Sequence, residues 1–425
     1  MLDLRYIREN ATAVQENSKN RGIEVDVGLV VELSDRRSAL IQELNELKRH
    51  QNQLAKSISR ERDEEARQRL IEESRAKKQR VPEKEEELGR VEERLREEHL
   101  KIPNITHPDA PIGQDESENV EVQRWGEIPD FGFEPKDHIE LGKALGIIDF
   151  DAGTKVAGSK FYFLRGDAVL LELGLVRYAM DILVERGYQP TITPDLARDE
   201  ILVGTGFIPR GPETQIYSVE DSDLSLIATA EITLAGSLAD EIVAEDELPI
   251  RLAGLSHCFR TEAGSHGRAS RGLYCVHQFT KVEMFAFTTP EQSETMHQEM
   301  LEIEERIFQG LGLPYRVVDI CTGDLGGAAY RKYDLEAWMP GRDDYGEVTS
   351  TSNTTDYQAR RLRIRYRKDG NRPQLLHTLN GTALAISRAL IALLEIYQQE
   401  DGSILLPKVL VPYVGKERIG PQLPR

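Results

Sequence analysis

Cysteine is scarce in this 425-residue chain, which contains only Cys258, Cys275 and Cys321. They are too few and too scattered for a disulfide framework or a Cys-x-x-Cys zinc site. Because disulfides are rare in reducing compartments, we expect a cytoplasmic protein. Long apolar runs are absent as well, and no stretch approaches the ~20 residues that a membrane helix needs. The charged start, Met1–Asn10, is unlike a signal peptide, so the sequence predicts no membrane association.

Positive charge is in short supply, since 54 Lys and Arg face 73 Asp and Glu, a net charge of −19. Such a balance normally disfavours nucleic-acid binding. One segment reverses it: Lys48–Arg80 contains eleven basic and six acidic residues, whereas Glu83–Glu98 contains four and eight. A basic segment can bind a phosphate backbone while acidic surroundings repel other contacts. The alternative is the ordinary charged surface of a coiled coil.

The first hundred residues carry two heptad seams, which predict an antiparallel helical hairpin with arms of about 40–50 Å. The first seam comprises Leu33, Arg37, Leu40, Leu44, Leu47, Gln51, Leu54 and Ile58. The second comprises Leu70, Ser74, Lys77, Val81, Lys84, Leu88, Val91, Leu95, Glu98 and Ile102. We expect Asp63 to cap the second helix and Pro82 to kink it.

The segment from Phe259 to Glu283 has strand character at both ends and a Gly-, Ser- and Arg-rich middle, which predicts a β-hairpin with a long, mobile, basic loop. Alternation along strands places Arg260 and Glu262 on one face. By the same argument, one face of the returning strand carries Cys275, His277, Phe279, Lys281 and Glu283. A cation, carboxylates and an aromatic ring together suit a phosphate, an ammonium group and a stacked base. A solvated edge hairpin is the alternative.

This segment resembles motif 2 of class II aminoacyl-tRNA synthetases and is similar to the version in the seryl-tRNA synthetase family. The resemblance implies an α+β fold, with an antiparallel β-sheet core flanked by helices and an N-terminal antiparallel coiled-coil arm. It implies a tRNA-binding domain over residues 1–105 and a catalytic domain over 106–425. It also implies that Arg260 is catalytic and binds the α-phosphate of ATP, and that Glu283 faces the amino acid. The resemblance also implies that Thr261 binds ATP, that Glu262 and the backbone near Val276 hold the adenine, and that the ring of Phe279 stacks on it.

Two further segments bear on this resemblance. Cys275 stands where the family usually has an arginine that reaches the γ-phosphate, so we expect a weaker ATP site. Val169–Arg186 predicts an amphipathic helix and Gly187–Pro194 a strand. This pair resembles motif 1, which implies a homodimer.

The triplet Thr229-Ala230-Glu231 has two local interpretations. If extended, it presents the hydroxyl and the carboxylate on one side; alternatively, it begins a helix. The resemblance implies that all three residues bind serine. The segment around Glu347 could be a surface turn. For this segment the resemblance implies ATP contacts from Glu347, Val348, Thr349 and Ser350. It implies Mg²⁺ binding by Glu347 and Ser350, whose hard oxygen ligands suit that ion.

Arg388 is the only charged residue between Gly381 and Leu394, a segment that reads as an apolar helix. A buried arginine needs an anion or a salt bridge. The segment resembles motif 3, which implies that Arg388 is catalytic and holds the γ-phosphate. It also implies that Asn380 and Thr382 contact serine.

Together these resemblances imply a ligase that activates L-serine with ATP and transfers it to tRNA(Ser), and also to tRNA(Sec). The arm would hold the tRNA through basic residues near its tip, among them Arg60, Arg67 and Arg69. Two alternatives remain: a seryl-type ligase that loads a carrier protein, whose known forms lack such an arm, and a non-catalytic protein built on a synthetase core. The zinc-dependent seryl variant is disfavoured by the long arm and the scattered cysteines.

Overall fold

The computed structural model describes residues 1–208, 215–262 and 271–420. These residues form two compact units, Met1–Ile105 and Thr106–Arg425. In the described ranges no helix is long and apolar enough to cross a membrane. The predicted mobile loop of the hairpin falls on residues 263–270, which lie outside the described residues.

The first unit is entirely helical among its regular elements. Its helices are α1 (Leu4–Glu9), α2 (Ala11–Asn20), α3 (Val27–Arg60) and α4 (Glu64–Lys101). Helices α3 and α4, of 34 and 38 residues, form the predicted antiparallel hairpin. At about 1.5 Å per residue they are slightly longer than expected. Asp63 accepts a 2.8 Å hydrogen bond from the Ala66 N–H, so the predicted cap of α4 is confirmed.

Burial in this unit is concentrated at the base of the hairpin. There Ile7 of α1 and Val14 of α2 pack with Val27 and Val30 of α3 and Leu95 of α4. Further along the hairpin, the buried members of the first seam are Leu40, Leu44 and Leu54. The distal half therefore has a narrow core and a large charged surface.

The second unit contains all the strands of the described chain. In chain order they are β1 (Val120–Trp125), β2 (Ile148–Asp149), β3 (Phe163–Leu164), β4 (Gln189–Ile192), β5 (Leu196–Arg198), β6 (Leu224–Leu226), β7 (Ile242–Ala244), β8 (Ile250–Phe259), β9 (Gln278–Thr288), β10 (Tyr315–Asp319), β11 (Arg331–Met339), β12 (Asp344–Thr355), β13 (Arg365–Arg367), β14 (Gln374–Leu375), β15 (His377–Ala385), β16 (Ile404–Leu405) and β17 (Arg418–Ile419). Eight form the main sheet in the order β1-β10-β11-β12-β15-β9-β8-β4. Its pairs are antiparallel except β4 with β8.

Helices pack around this sheet. They are α5 (His138–Ala144), α6 (Phe150–Ala157), α7 (Asp167–Glu185), α8 (Asp199–Thr205), α9 (Ala230–Gly236), α10 (Ser293–Leu311), α11 (Tyr357–Leu362), α12 (Ile386–Ile396) and α13 (Val411–Val414). The main core joins α7, α10 and α12 to the sheet through residues such as Leu175, Ile303 and Leu390. The expected α+β architecture, with an antiparallel sheet core flanked by helices, is confirmed.

One local prediction needs correction, and one alternative interpretation is excluded. The helix expected from Gly381 begins at Ile386, because β15 occupies His377–Ala385 between β12 and β9. The segment around Glu347 is the interior of β12 rather than a surface turn. In both places pairing with neighbouring strands decides the conformation, and small apolar residues suit a buried strand as well as a helix.

Candidate active site

Strands β9, β12 and β15 and helices α9 and α12 meet around a cleft of about 130 Å³. Its lining comprises Phe207, Thr229, Glu231, Arg260, Glu262, Tyr274, Val276, Phe279, Lys281, Glu283, Glu347, Val348, Thr349, Ser350, Asn380, Thr382, Ala385, Ser387 and Arg388. The structure therefore brings together the residues expected to bind serine and ATP, except Ala230 and Thr261. Ala230 is buried in the core, and the Thr261 hydroxyl lies 3.3 Å from Gln215 Oε1.

One end of the cleft is built on the start of α9. Thr229 caps this helix by accepting a hydrogen bond from the Glu231 N–H, so the helix interpretation of the triplet holds locally. Glu231 Oε1 accepts hydrogen bonds from Gln358 Nε2 at 2.7 Å and Asn380 Nδ2 at 3.0 Å. Burial, helped by nearby Glu283, raises the pKa of Glu231 to about 7.

A buried lysine to which no sequence motif gives a role, Lys281, lies at this end of the cleft. Lys281 Nζ lies 2.6 Å from Glu283 Oε2 and donates to the hydroxyls of Thr229, at 2.8 Å, and Thr382, at 3.4 Å. Strand alternation places Lys281 on the same face as Glu283. The position of a lysine among the apolar residues of β9 was the feature of the sequence that could have indicated a buried, functional lysine. Gln358 was also missed, because only the fold brings α11 next to Glu231.

Arg388 lies at the other end of the cleft, in the first turn of α12. Its Nη1 lies 3.0 Å from Glu347 Oε2 and donates to the Glu347 carbonyl, while the guanidinium covers the ring of Tyr274 at 4.6 Å. The salt bridge that was the alternative interpretation of Arg388 is thus present in the structure. Burial alone would raise the pKa of Glu347, but Arg388 and Lys332 outweigh it and lower this pKa well below its ordinary value.

A β-bulge explains how Glu347 and Ser350 share the cleft although they are three residues apart on a strand. Glu347 pairs with Glu336 and Thr349 with Leu335, so Val348 is the extra residue in β12. Regular alternation would place Glu347 and Ser350 on opposite faces, and the inserted residue returns them to the same face. Val348 itself packs into the core.

Phe279 and Arg260 lie together at the loop end of the hairpin, where β8 ends and β9 begins, with the guanidinium carbon of Arg260 5.4 Å from the centre of the Phe279 ring. The predicted alternation fails before Phe279, because β9 begins only at Gln278. Tyr274 and Val276 line the cleft, whereas Cys275 and His277 do not. The His277 ring instead packs against Phe161 and Tyr217.

The basic residues predicted at the arm tip are exposed. Arg60 ends α3, and Arg67 and Arg69 lie in the first turns of α4. The pairs from Arg67 to Glu64 and from Arg69 to Glu65 span 4.0 and 3.8 Å within one helix. Nearer the base, cross-helix pairs are shorter, such as Arg37 with Glu92 at 2.8 Å.

In this antiparallel sheet a hairpin presents Arg260 and Phe279, and helix α12, which follows β15, presents Arg388. This arrangement defines a class II aminoacyl-tRNA synthetase core. Residues 216–397 match the tRNA synthetase class II core domain (G, H, P, S and T). Residues 1–106 match the seryl-tRNA synthetase N-terminal domain. The chain belongs to the seryl-tRNA synthetase family.

Individual relatives agree over the whole chain. The serine–tRNA ligase of Rubrobacter xylanophilus is 76% identical over 421 residues, covering 99% of both chains. Among solved structures, seryl-tRNA synthetase from Pyrococcus horikoshii complexed with ATP superposes with a TM-score of 0.92 at 40% identity, covering 100% of both chains. The cytoplasmic serine–tRNA ligase of Naegleria fowleri in complex with AMP superposes with a TM-score of 0.84 at 35% identity, covering 99% of this chain and 98% of that one.

Proposed function

We propose that the chain activates L-serine with ATP to give seryl-adenylate and pyrophosphate, and then transfers serine to the 3′ end of tRNA(Ser). The observation that carries this proposal is a single cleft with two chemically different ends. One end groups Glu231, Asn380 and the Lys281–Glu283 pair around a volume suited to a small polar amino acid. The same cleft also presents the guanidinium groups of Arg260 and Arg388 and the ring of Phe279, which suit a nucleotide.

Serine activation needs no general base in this cleft. The α-carboxylate of an amino acid has a pKa near 3.5 and is ionised at neutral pH. Its oxygen attacks the α-phosphorus in line, the bond to the bridging oxygen breaks, and pyrophosphate leaves. Arg260 would offset the charge that develops on the α-phosphoryl oxygens, and Arg388 the charge on the leaving phosphates. Phe279 offers its face to the adenine.

The residues expected to hold Mg²⁺ fit that ion. Glu347 and Ser350 present hard oxygen atoms on one face of β12, and the lowered pKa of Glu347 keeps its carboxylate ionised. The described residues contain no cluster of three His, Cys, Asp or Glu side chains suited to a metal. Two protein ligands together with nucleotide phosphates are nevertheless the usual Mg²⁺ arrangement. When bound, the ion would neutralise phosphate charge, while Glu347 and Ser350 hold it in place.

Selection of serine rests on the polar end of the cleft. Glu283 would accept hydrogen bonds from the ammonium group of the substrate serine. This ammonium group would then compete with Lys281 for the Glu283 carboxylate. Glu231, oriented by hydrogen bonds from Gln358 and Asn380, would accept a hydrogen bond from the hydroxyl of the substrate serine. A site built to hydrogen-bond a hydroxyl rejects alanine strongly, because buried polar groups are otherwise left unpaired.

In the second step the terminal ribose hydroxyl of the tRNA attacks the seryl carbonyl, AMP leaves, and the hydroxyl proton passes to solvent. We assign tRNA binding to the helical arm, whose tip exposes Arg60, Arg67 and Arg69. We also propose tRNA(Sec) as a substrate.

A homodimer is proposed through α7 and the edge strand β4, where Leu173 and Ile192 are 61% and 83% exposed. The proposed compartment is the cytoplasm, whose reducing environment suits three free thiols.

The test is amino-acid-dependent ATP–pyrophosphate exchange followed by tRNA charging. We expect strong exchange with serine alone and charging of serine tRNA. Comparable exchange with alanine, threonine or proline would overturn the serine assignment. Exchange without tRNA charging would favour the carrier-protein ligase, and no exchange with any amino acid would favour the non-catalytic alternative.

A further inference from the structure

His138 links three segments of the catalytic unit that are far apart in sequence. The buried ring, at the start of α5, has Nδ1 2.8 Å from Glu395 Oε1 on α12. Its Nε2 accepts a 3.1 Å hydrogen bond from the backbone N–H of Leu273. Because Nε2 accepts, the ring hydrogen lies on Nδ1 and is donated to the carboxylate.

The contact between His138 and the returning end of the hairpin depends on a glycine. Gly272 has a φ of +65°, and a Cβ built on it would lie 2.0 Å from His138 Nε2. Glycine both adopts this backbone conformation without strain and lets the main chain approach the imidazole. The next residue, Leu273, is fully buried. The backbone here is therefore held from one side by core packing and from the other by the imidazole.

The residue that follows this anchor contacts the nucleotide end of the cleft. The Tyr274 carbonyl lies 3.5 Å from Arg388 Nε, and the Tyr274 ring stacks on the guanidinium of Arg388. Arg342 covers the same ring at 4.2 Å. Glu395 Oε2 accepts a 2.8 Å hydrogen bond from the Gly341 N–H, directly before Arg342. The His138–Glu395 pair thus anchors both segments that frame Arg388.

We propose that His138 is a positioning residue for the ATP site. Its Nε2 holds the Leu273 backbone where Tyr274 orients Arg388 toward the terminal phosphates. This inference rests on the proposed function, because it concerns the ATP end of the same cleft. The proposal distinguishes two roles of the ring: Nε2 positions the hairpin, while Nδ1, together with the His138 backbone N–H, bonds α5 to Glu395 of α12.

Two substitutions divide these roles. In His138→Asn the amide reaches the place of Nδ1, so it keeps donation to Glu395 and loses the acceptor for Leu273. In His138→Gln the amide oxygen reaches the place of Nε2, so the acceptor is kept and the side-chain bond to Glu395 is lost, while the backbone N–H of residue 138 still donates to Glu395. From the strength of one neutral hydrogen bond, we expect His138→Asn to raise the KM for ATP roughly three- to tenfold, with the KM for serine unchanged. His138→Gln should keep an ATP KM near that of the wild type.

Both variants are measured by pyrophosphate exchange at varied ATP and serine, with Tm recorded for each. Equal losses in the two variants, a loss confined to His138→Gln, or no change in either would overturn the proposal. If His138→Asn does not fold, Gly272→Ala gives the same test. This substitution retains the side chains of His138 and Glu395, but the added methyl group moves the backbone at residue 272 away from His138 Nε2. Lack of serine-dependent exchange in the wild type would instead refute the proposed function, which separates the two failures.

Discussion

The tip of the helical arm and the catalytic cleft both concentrate charge, but they do so in opposite physical environments. At the tip, Arg67 and Arg69 are exposed and their acidic neighbours lie 3.8 Å or more away. In the cleft, Lys281 and Glu283 are buried and 2.6 Å apart. Exposed pairs contribute little to stability, whereas breaking a buried pair leaves an uncompensated charge. The tip can therefore exchange its partners for a polyanion freely, while in the cleft Lys281 is paired with Glu283 and Arg388 with Glu347.

The largest effect should come from removing a charge in the cleft. We expect Arg388→Ala to lower kcat/KM for ATP about 100-fold or more in pyrophosphate exchange, because a preorganised cation at the phosphates is lost. Arg198→Ala is the matched control, since its side chain at the end of β5 is 67% exposed and should leave exchange unchanged. A loss below tenfold in a folded Arg388→Ala protein would contradict the assignment.

Charge reversal at the arm tip should separate the two reactions. Replacing Arg60, Arg67 and Arg69 by Glu should weaken tRNA charging roughly tenfold or more, with serine activation unchanged. The salt dependence of tRNA binding should flatten by about two to three units of log–log slope. The measurements are charging at varied tRNA and salt titration of binding.

The matched control for the arm reverses three exposed basic residues of α4 near its base, Arg90, Arg94 and Arg96. This triple substitution changes the net charge by the same amount as the substitution at the tip. A difference between the two variants therefore reports the position of the charges along the arm. Similar weakening in both triple variants would show that overall charge, and not the tip, governs tRNA binding. A parallel fall in activation would make the arm a structural support.

Glu231 offers a pH test of the buried environment. Burial raises its pKa to about 7, so below that pH the carboxyl is protonated and accepts a hydrogen bond from the serine hydroxyl less strongly than the carboxylate does. We expect kcat/KM for serine to rise up to about tenfold between pH 6 and 8, and this titration to vanish in Glu231→Gln. For folding, the raised pKa favours the protonated native state, so its stabilising contribution declines as pH rises through 7. Persistence of the titration in Glu231→Gln would assign it to another group.

A further prediction concerns Cys275, whose thiol pKa is raised by burial and by Glu262. Cys275 does not line the cleft, but it directly follows Tyr274, which lines the cleft and contacts Arg388. Cys275→Arg should lower the KM for ATP by roughly tenfold, the worth of one charge-assisted contact, with little change for serine. Cys275→Met controls for size. An unchanged ATP KM would mean that another arginine already supplies the contact; Arg271 is described, whereas Arg268 lies outside the described residues.

The two regions also differ in how far the sequence predicted them. The heptad seams predicted α3 and α4, and Asp63 was correctly expected to cap α4. Helical hydrogen bonds and caps join residues three or four apart, so local sequence carries the information. In the cleft the residue types were identified by resemblance, but the positions of Cys275 and His277 were not, because strand alternation does not extend before Gln278.

By itself, the sequence determined the helical hairpin, the charge of its tip, the β-hairpin between Phe259 and Glu283, and most of the residues around the cleft. The tertiary structure decided the rest. Strand pairing turned the start of the expected motif 3 helix into β15, and a bulge at Val348 brought Glu347 and Ser350 to one face. Packing gave Lys281, Gln358 and His138 partners that lie up to 257 residues away. Such contacts depend on which strands and helices become neighbours, a long-range outcome that no local pattern of residues encodes.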